Sequence, residues 1–149
     1  MQRPMSKIKV FVDTSVVIAG LASSVGASGA VLDLCEAEVI QMVLSRQVIV
    51  EADRNFNTKL PRLAGRFRQF MRSLGPILVD DPGKSSVRRA ARIVGRKDAS
   101  ILAAARESGV DFLITLDKKH FLSPRARKGA GVQVVSPAEI IHIFQKLAK

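Results

Sequence analysis

KIKVFVDTSVVIAGLAS, residues 7–23, runs from a strand into a helix across one acid. Residues 7–13 are a short β-branched run that ends in Asp13, and residues 14–23 space their apolar side chains as a helix does. The rest of the chain follows the same plan. Residues 23–29 (SSVGASG) read as a loop, 30–39 as a helix with Ala30, Val31, Leu34 and Cys35 on one side, and 40–44 as a second strand. Ser45 can cap a helix beginning RQVIVEAD, and 60–74 places Leu63, Phe67, Phe70, Met71 and Leu74 at helical intervals before Gly75 and Pro76 end it. A third strand at 77–80, a turn at 81–83 and a basic helix over 84–95 come next. Asp98 then caps an alanine-rich helix that stops at Gly109. Strands at 112–115 and 132–135 follow, and Ser136–Pro137 opens a last helix over 138–149. Five apolar strands alternating with helices predict an α/β protein. The expected architecture is a three-layer α/β/α sandwich around a central, mainly parallel five-stranded sheet, in a single domain over residues 1–149.

Composition limits what such a domain can do. A chain of 149 residues that is 47% hydrophobic can bury a core without covalent staples. Cys35 is the only cysteine, so no disulfide forms within the chain, which suits a reducing cytoplasm, and Cys35 itself reads as a small buried hydrophobe. The apolar stretch 8–22 is interrupted by Asp13 and falls short of the roughly 20 residues that span a bilayer, so no membrane segment is expected. Lysine and arginine exceed the acids by 24 to 13, and a net charge of +11 calls for a polyanionic partner. No GxxxxGK[ST] loop occurs, and Gly26–Gly29 does not follow a strand, so a nucleotide cofactor is not expected.

In parallel α/β sheets, ligands bind beyond the carboxyl ends of the strands. Asp13 ends the first strand, Asp117 follows the fourth, Asp98 begins the helix leading into the fourth, and Glu51 lies six residues past Ser45. All four can meet at one edge. Gathered carboxylates repel one another and resist ionisation unless a cation sits among them. Oxygen donors select Mg²⁺ or Mn²⁺ over zinc, and such a centre suits phosphodiester chemistry. Each acid also has an ordinary alternative: Asp13 and Asp98 as helix caps, Glu51 as a solvated face, Asp117 as a turn former. Asp53 competes with Glu51 but lies about 200° round the helix from it.

The residues resemble the PIN-domain ribonucleases, particularly the VapC-like toxins of toxin–antitoxin pairs. VFVDTSVVIAG is similar to the family's first motif, LSRQVIVEADRNF to its second, and KDASILAAARESGVDFLITLDKKHF to its third and fourth. The resemblance covers roughly residues 8 to 136. It implies an Mg²⁺- or Mn²⁺-dependent endoribonuclease, commonly a homodimer and often restrained by a small antitoxin. Asp13, Glu51, Asp98 and Asp117 would hold the metal, with Ser15 and Thr115 as the hydroxyls beside them. Ser15 replaces a common Asn, and Lys119–His120 stand where many relatives carry a further acid. A non-catalytic RNA- or protein-binding module on the same scaffold is the competing reading.

Basic residues supply the substrate side. Arg88, Arg92 and Arg96 recur every four residues as one stripe leading to Asp98, and Lys118 and Lys119 follow the last acid, so these five are the expected RNA contacts. Arg125, Arg127 and Lys128 extend that second cluster, while Arg62, Arg66 and Arg72 suit a wet helix face or an antitoxin surface. With neither Trp nor Tyr, base stacking is weakly provided for. His120 and His142 have no partners at familiar ligand spacings and read as structural.

Overall fold

The structure, a computed structural model, describes residues 7–147. Its elements are β1 (Ile8–Val12), α1 (Thr14–Ala22), α2 (Ala27–Glu36), β2 (Ile40–Ser45), α3 (Arg46–Lys59), α4 (Pro61–Leu74), β3 (Ile77–Val79), α5 (Lys84–Val94), α6 (Ala99–Glu107), β4 (Phe112–Ile114), α7 (Pro124–Gly129), β5 (Gln133–Val135) and α8 (Pro137–Leu147). The strands form one sheet in the order β3-β2-β1-β4-β5. Every pairing is parallel, as with Val10 opposite both Met42 and Phe112. The α/β/α arrangement predicted from the alternation of strands and helices is therefore the observed one, and the sheet is wholly parallel. Val10, Phe11 and Val12 of the central strand are fully buried, as are Leu113 and Ile114 beside them. A parallel sheet covered on both faces needs such strands. The order reverses at β1, because β2 and β3 lie on one side of it and β4 and β5 on the other. That reversal opens a crevice beyond the carboxyl ends of β1 and β4.

Three local readings need correction. The 23–29 segment is not all loop, because α2 begins at Ala27 and includes Gly29. A side chain at Gly29 would meet the Ser23 carbonyl oxygen at 2.8 Å, and one at Gly20 would meet the Leu32 side chain at 2.5 Å. Gly20 lets α1 and α2 approach each other closely, and Gly29 lets α2 start against the turn that leaves α1. The segment 124–129, read only as a basic cluster, is the helix α7, capped by Ser123 Oγ accepting from the Ala126 amide at 3.2 Å. The arginine stripe is also shorter than its spacing implied. Helix α5 stops at Val94, Gly95 turns the chain away at φ 86°, and Arg96 lies beyond the helix. The last two residues of the expected final helix lie outside the described residues. Among the described residues no single helix is long and apolar enough to cross a membrane.

Candidate metal centre

Asp13 sits at the seam where β1 and β4 separate. Its amide donates to the Ile114 carbonyl at 3.0 Å, which fixes the backbone of both strand ends together. Although Asp13 occupies the cap position of α1, its side chain makes no capping hydrogen bond. The carboxylate turns instead to two hydroxyls. Thr115 Oγ1 donates to Asp13 Oδ2 at 2.8 Å, and Ser15 Oγ donates to the same oxygen at 3.4 Å. Thr115 is fully buried, and its Oγ1 also accepts from the Asp117 amide at 3.1 Å. One side chain thus orients the first acid and the turn that carries the last. Burial pushes the Asp13 carboxyl up to about 6 despite the Thr115 hydrogen bond, and the charges of Asp98 and Glu51 raise it further.

Asp98 precedes α6 and likewise makes no side-chain capping bond. The helix-cap reading fails for both residues. Burial, then the nearby Asp117 charge, raise the Asp98 carboxyl above its ordinary range. Partial burial acts the same way on Asp117, but hydrogen bonds from the His120 amide and ring outweigh it and hold that carboxyl low. The His120 amide donates to Asp117 Oδ1 at 2.9 Å. Its ring Nδ1 lies 3.0 Å from Asp117 Oδ2 and 3.6 Å from Asp98 Oδ2. His120 therefore belongs to this cluster, against the reading of it as a structural residue without partners. Its three-residue separation from Asp117 resembles no common ligand motif, and its distance from Asp98 is set by the fold alone.

Glu51 is carried on an exposed face of α3, and its charge acts on both Asp13 and Asp98. The start of α3 is held twice, by Ser45 Oγ accepting from the Val48 amide at 3.4 Å and by Asp81 accepting from the Gln47 amide at 3.0 Å. Asp53 points elsewhere, to Asn57 at 3.1 Å and Arg68 at 3.8 Å, as its helical offset from Glu51 requires. Beside Glu51 an open groove of about 590 Å³ is lined by Arg46, Gln47, Val50, Arg54 and Asp81. Arg46 and Arg54 were not singled out in the sequence; only their places either side of Glu51 on α3 could have marked them. Arg88, Arg92, Arg96, Lys118 and Lys119 are all solvent-exposed. The donor set fits a hard dication: it offers carboxylate oxygens, one imidazole nitrogen and no thiolate, and burial together with the acids' mutual repulsion raises both Asp13 and Asp98.

The PIN domain family model matches residues 9–119, a span that includes all four acids. No curated relative matches the sequence. Among solved structures, PAE2754 from Pyrobaculum aerophilum aligns over 93% of this chain and 96% of its own, at 18% identity and a TM-score of 0.65. VapBC from Salmonella typhimurium, in a DNA-bound crystal structure, aligns over 87% and 98% at 16% identity and a TM-score of 0.64. VapC20 from Mycobacterium tuberculosis, described as a toxin that cleaves the sarcin-ricin loop, aligns over 78% and 95% at 17% identity and a TM-score of 0.54. Identities this low establish a shared fold.

Proposed function

Since the chain belongs to the PIN domain family, we propose that it is a metal-dependent endoribonuclease and the toxin of a toxin–antitoxin pair. One observation carries the reading. Asp98 and Asp117 bring ligand oxygens within 4.8 Å of each other near a half-buried Asp13, and neither Asp13 nor Asp98 makes the side-chain capping bond that would otherwise explain it. Asp13, Glu51, Asp98 and Asp117 are the residues that would hold Mg²⁺ or Mn²⁺. A dication held there would supply charge neutralisation at a phosphodiester and would lower the pKa of a bound water. Thr115 and Ser15 keep Asp13 Oδ2 aimed and immobile. Arg88 and Arg92 on α5, Arg96 before Asp98, and Lys118 and Lys119 after Asp117 flank the acids on exposed surface, where they would grip backbone phosphates without reading sequence. The net charge of +11 favours the same polyanion. The fold shared with VapBC and with VapC20 supports the toxin role and a small antitoxin partner, and a homodimer in a cytoplasmic setting completes the proposal. We take residues 1–149 as one PIN-like domain.

Asp98→Asn tests the assignment. Asn caps as well as Asp, and Asp98 makes no capping bond in any case, so the melting temperature without metal should be kept or slightly raised as carboxylate repulsion is relieved. Cleavage of RNA in Mg²⁺ or Mn²⁺ should fall by at least about a hundredfold, on the order of 3 kcal/mol of transition-state stabilisation. A folded variant that cuts at the parent rate would remove Asp98 from the chemistry. A parent chain that binds RNA and never cuts it would favour the binding-module reading.

A further inference from the structure

His120 is placed with unusual firmness for an exposed side chain. The turn that carries it is tied to Asp117 at three points: the His120 amide donates to Asp117 Oδ1, and the Phe121 and Leu122 amides donate to the Asp117 carbonyl at 3.2 and 3.0 Å. Phe121, the next residue, is fully buried and anchors the turn in the core. The ring is left facing two carboxylates that come from different elements, with one donor atom each from Asp98, Asp117 and His120 inside a 4.8 Å sphere of mutual separation. Donors at right angles about 2.1 Å from a shared centre lie roughly 3.0 Å apart, and wider angles open that to about 3.5 Å. The observed separations from Nδ1 are 3.0 and 3.6 Å.

We infer that His120 is itself a metal ligand, its Nδ1 joining the Asp98 and Asp117 oxygens, and that this nitrogen makes the centre select Mn²⁺ over Mg²⁺. The inference rests on the metal-dependent reading above and names the ion that reading leaves open. Mg²⁺ is hard, prefers oxygen and keeps much of its water, whereas imidazole binds first-row transition dications more readily. Neutral imidazole also adds a donor without adding a fifth negative charge to a site already crowded with carboxylates. Ligation requires the tautomer with its proton on Nε2; the alternative is a ring whose Nδ1–H only donates to the Asp117 carboxylate and must be displaced by an arriving ion.

Calorimetric titration of the full chain with Mn²⁺ and with Mg²⁺ separates these, alongside the same titrations of His120→Ala and His120→Asp. As a ligand, His120 makes the Ala variant lose at least about tenfold in Mn²⁺ affinity and little in Mg²⁺ affinity, a loss of the size that ligand-sphere changes produce. The Asp variant, with an oxygen restored, should bind both ions with the preference flattened. Pulsed electron paramagnetic resonance of bound Mn²⁺ should show nitrogen coupling in the parent and none in either variant. Tighter binding of both ions by the Ala variant, an unchanged Mn²⁺ to Mg²⁺ ratio, or a parent spectrum without nitrogen coupling would overturn the ligand assignment and leave the metal centre standing. Failure of the parent to bind either ion saturably would overturn both. Circular dichroism melts verify that each variant is folded.

Discussion

Thr115 shows how much one hydroxyl can organise. It hydrogen-bonds Asp13 across a sequence separation of 102 residues and receives the Asp117 amide two residues on. Replacing it by valine keeps the shape and removes both interactions. Thr115→Val should therefore cost about 1–3 kcal/mol in denaturant unfolding, because it strands the amide and one carboxylate contact in a buried setting. It should also slow RNA cleavage by roughly tenfold or more through misaimed Asp13, measured with the metal saturating. Equal rates with a lowered midpoint would confine Thr115 to a structural role. Asp13 and Asp117 were visible in the sequence because strand ends are where parallel sheets place ligands, and Asp98 because it opens the helix that leads into β4. His120 was not, since its partner Asp98, 22 residues earlier in the chain, is brought to it only by the tertiary fold.

Helix α8 is held at its start by a reciprocal pair. The Ser136 amide donates to Glu139 Oε1 at 2.9 Å, and the Glu139 amide donates to Ser136 Oγ at 3.1 Å. Arg127 of α7 closes the arrangement with two bonds to the Glu139 carboxylate, at 2.8 and 2.9 Å. Those bonds hold the Glu139 carboxyl down to about 2, below its ordinary 4.5. A depressed carboxyl adds stability that is fully present above about pH 4.5 and is lost as pH falls through the folded value near 2. Glu139→Gln should cost about 1 kcal/mol at pH 7, discounted because the pair is partly exposed, and nothing near pH 2. Thermal melts of parent and variant across pH 2–7 check it; parallel curves would mean the carboxylate contributes no pH dependence. The sheet itself was legible because short β-branched runs bounded by Gly, Pro and Asp have few alternatives. The start of α2 was not, because Gly-Ala-Ser-Gly carries the residues of a loop and becomes helical only where α1 needs a close neighbour. Helix α7 was missed for its length: six residues leave no room for a periodic pattern.

At the scale of the molecule, the proposed RNA-binding surface divides at Gly95. Arg88 and Arg92 share helix α5, while Arg96 stands on the turn into Asp98. If all three contact phosphates, replacing Arg88 and Arg92 by alanine should flatten the salt dependence of single-strand binding by about 1.4 in log–log slope, and adding the Arg96 change should remove a further 0.7 or so. An unchanged slope places the strand elsewhere, with the Arg46 and Arg54 groove the next surface to test. The order β3-β2-β1-β4-β5 has a separate bearing on when the acidic cluster can first form. Synthesis from the amino terminus delivers Asp13 before its partner Thr115, which arrives 102 residues later, roughly 5 to 20 seconds at ordinary translation speeds. Until β4 docks along β1, Asp13 has neither Thr115 nor Asp117 beside it, and the cluster has no ring from His120. A nascent chain, a stalled ribosome product or a fragment cut before β4 would carry the first acid on an open strand edge and could not assemble the centre. The cluster would thus be withheld until β4 and the turn after it have been made and docked, a delay written into strand order.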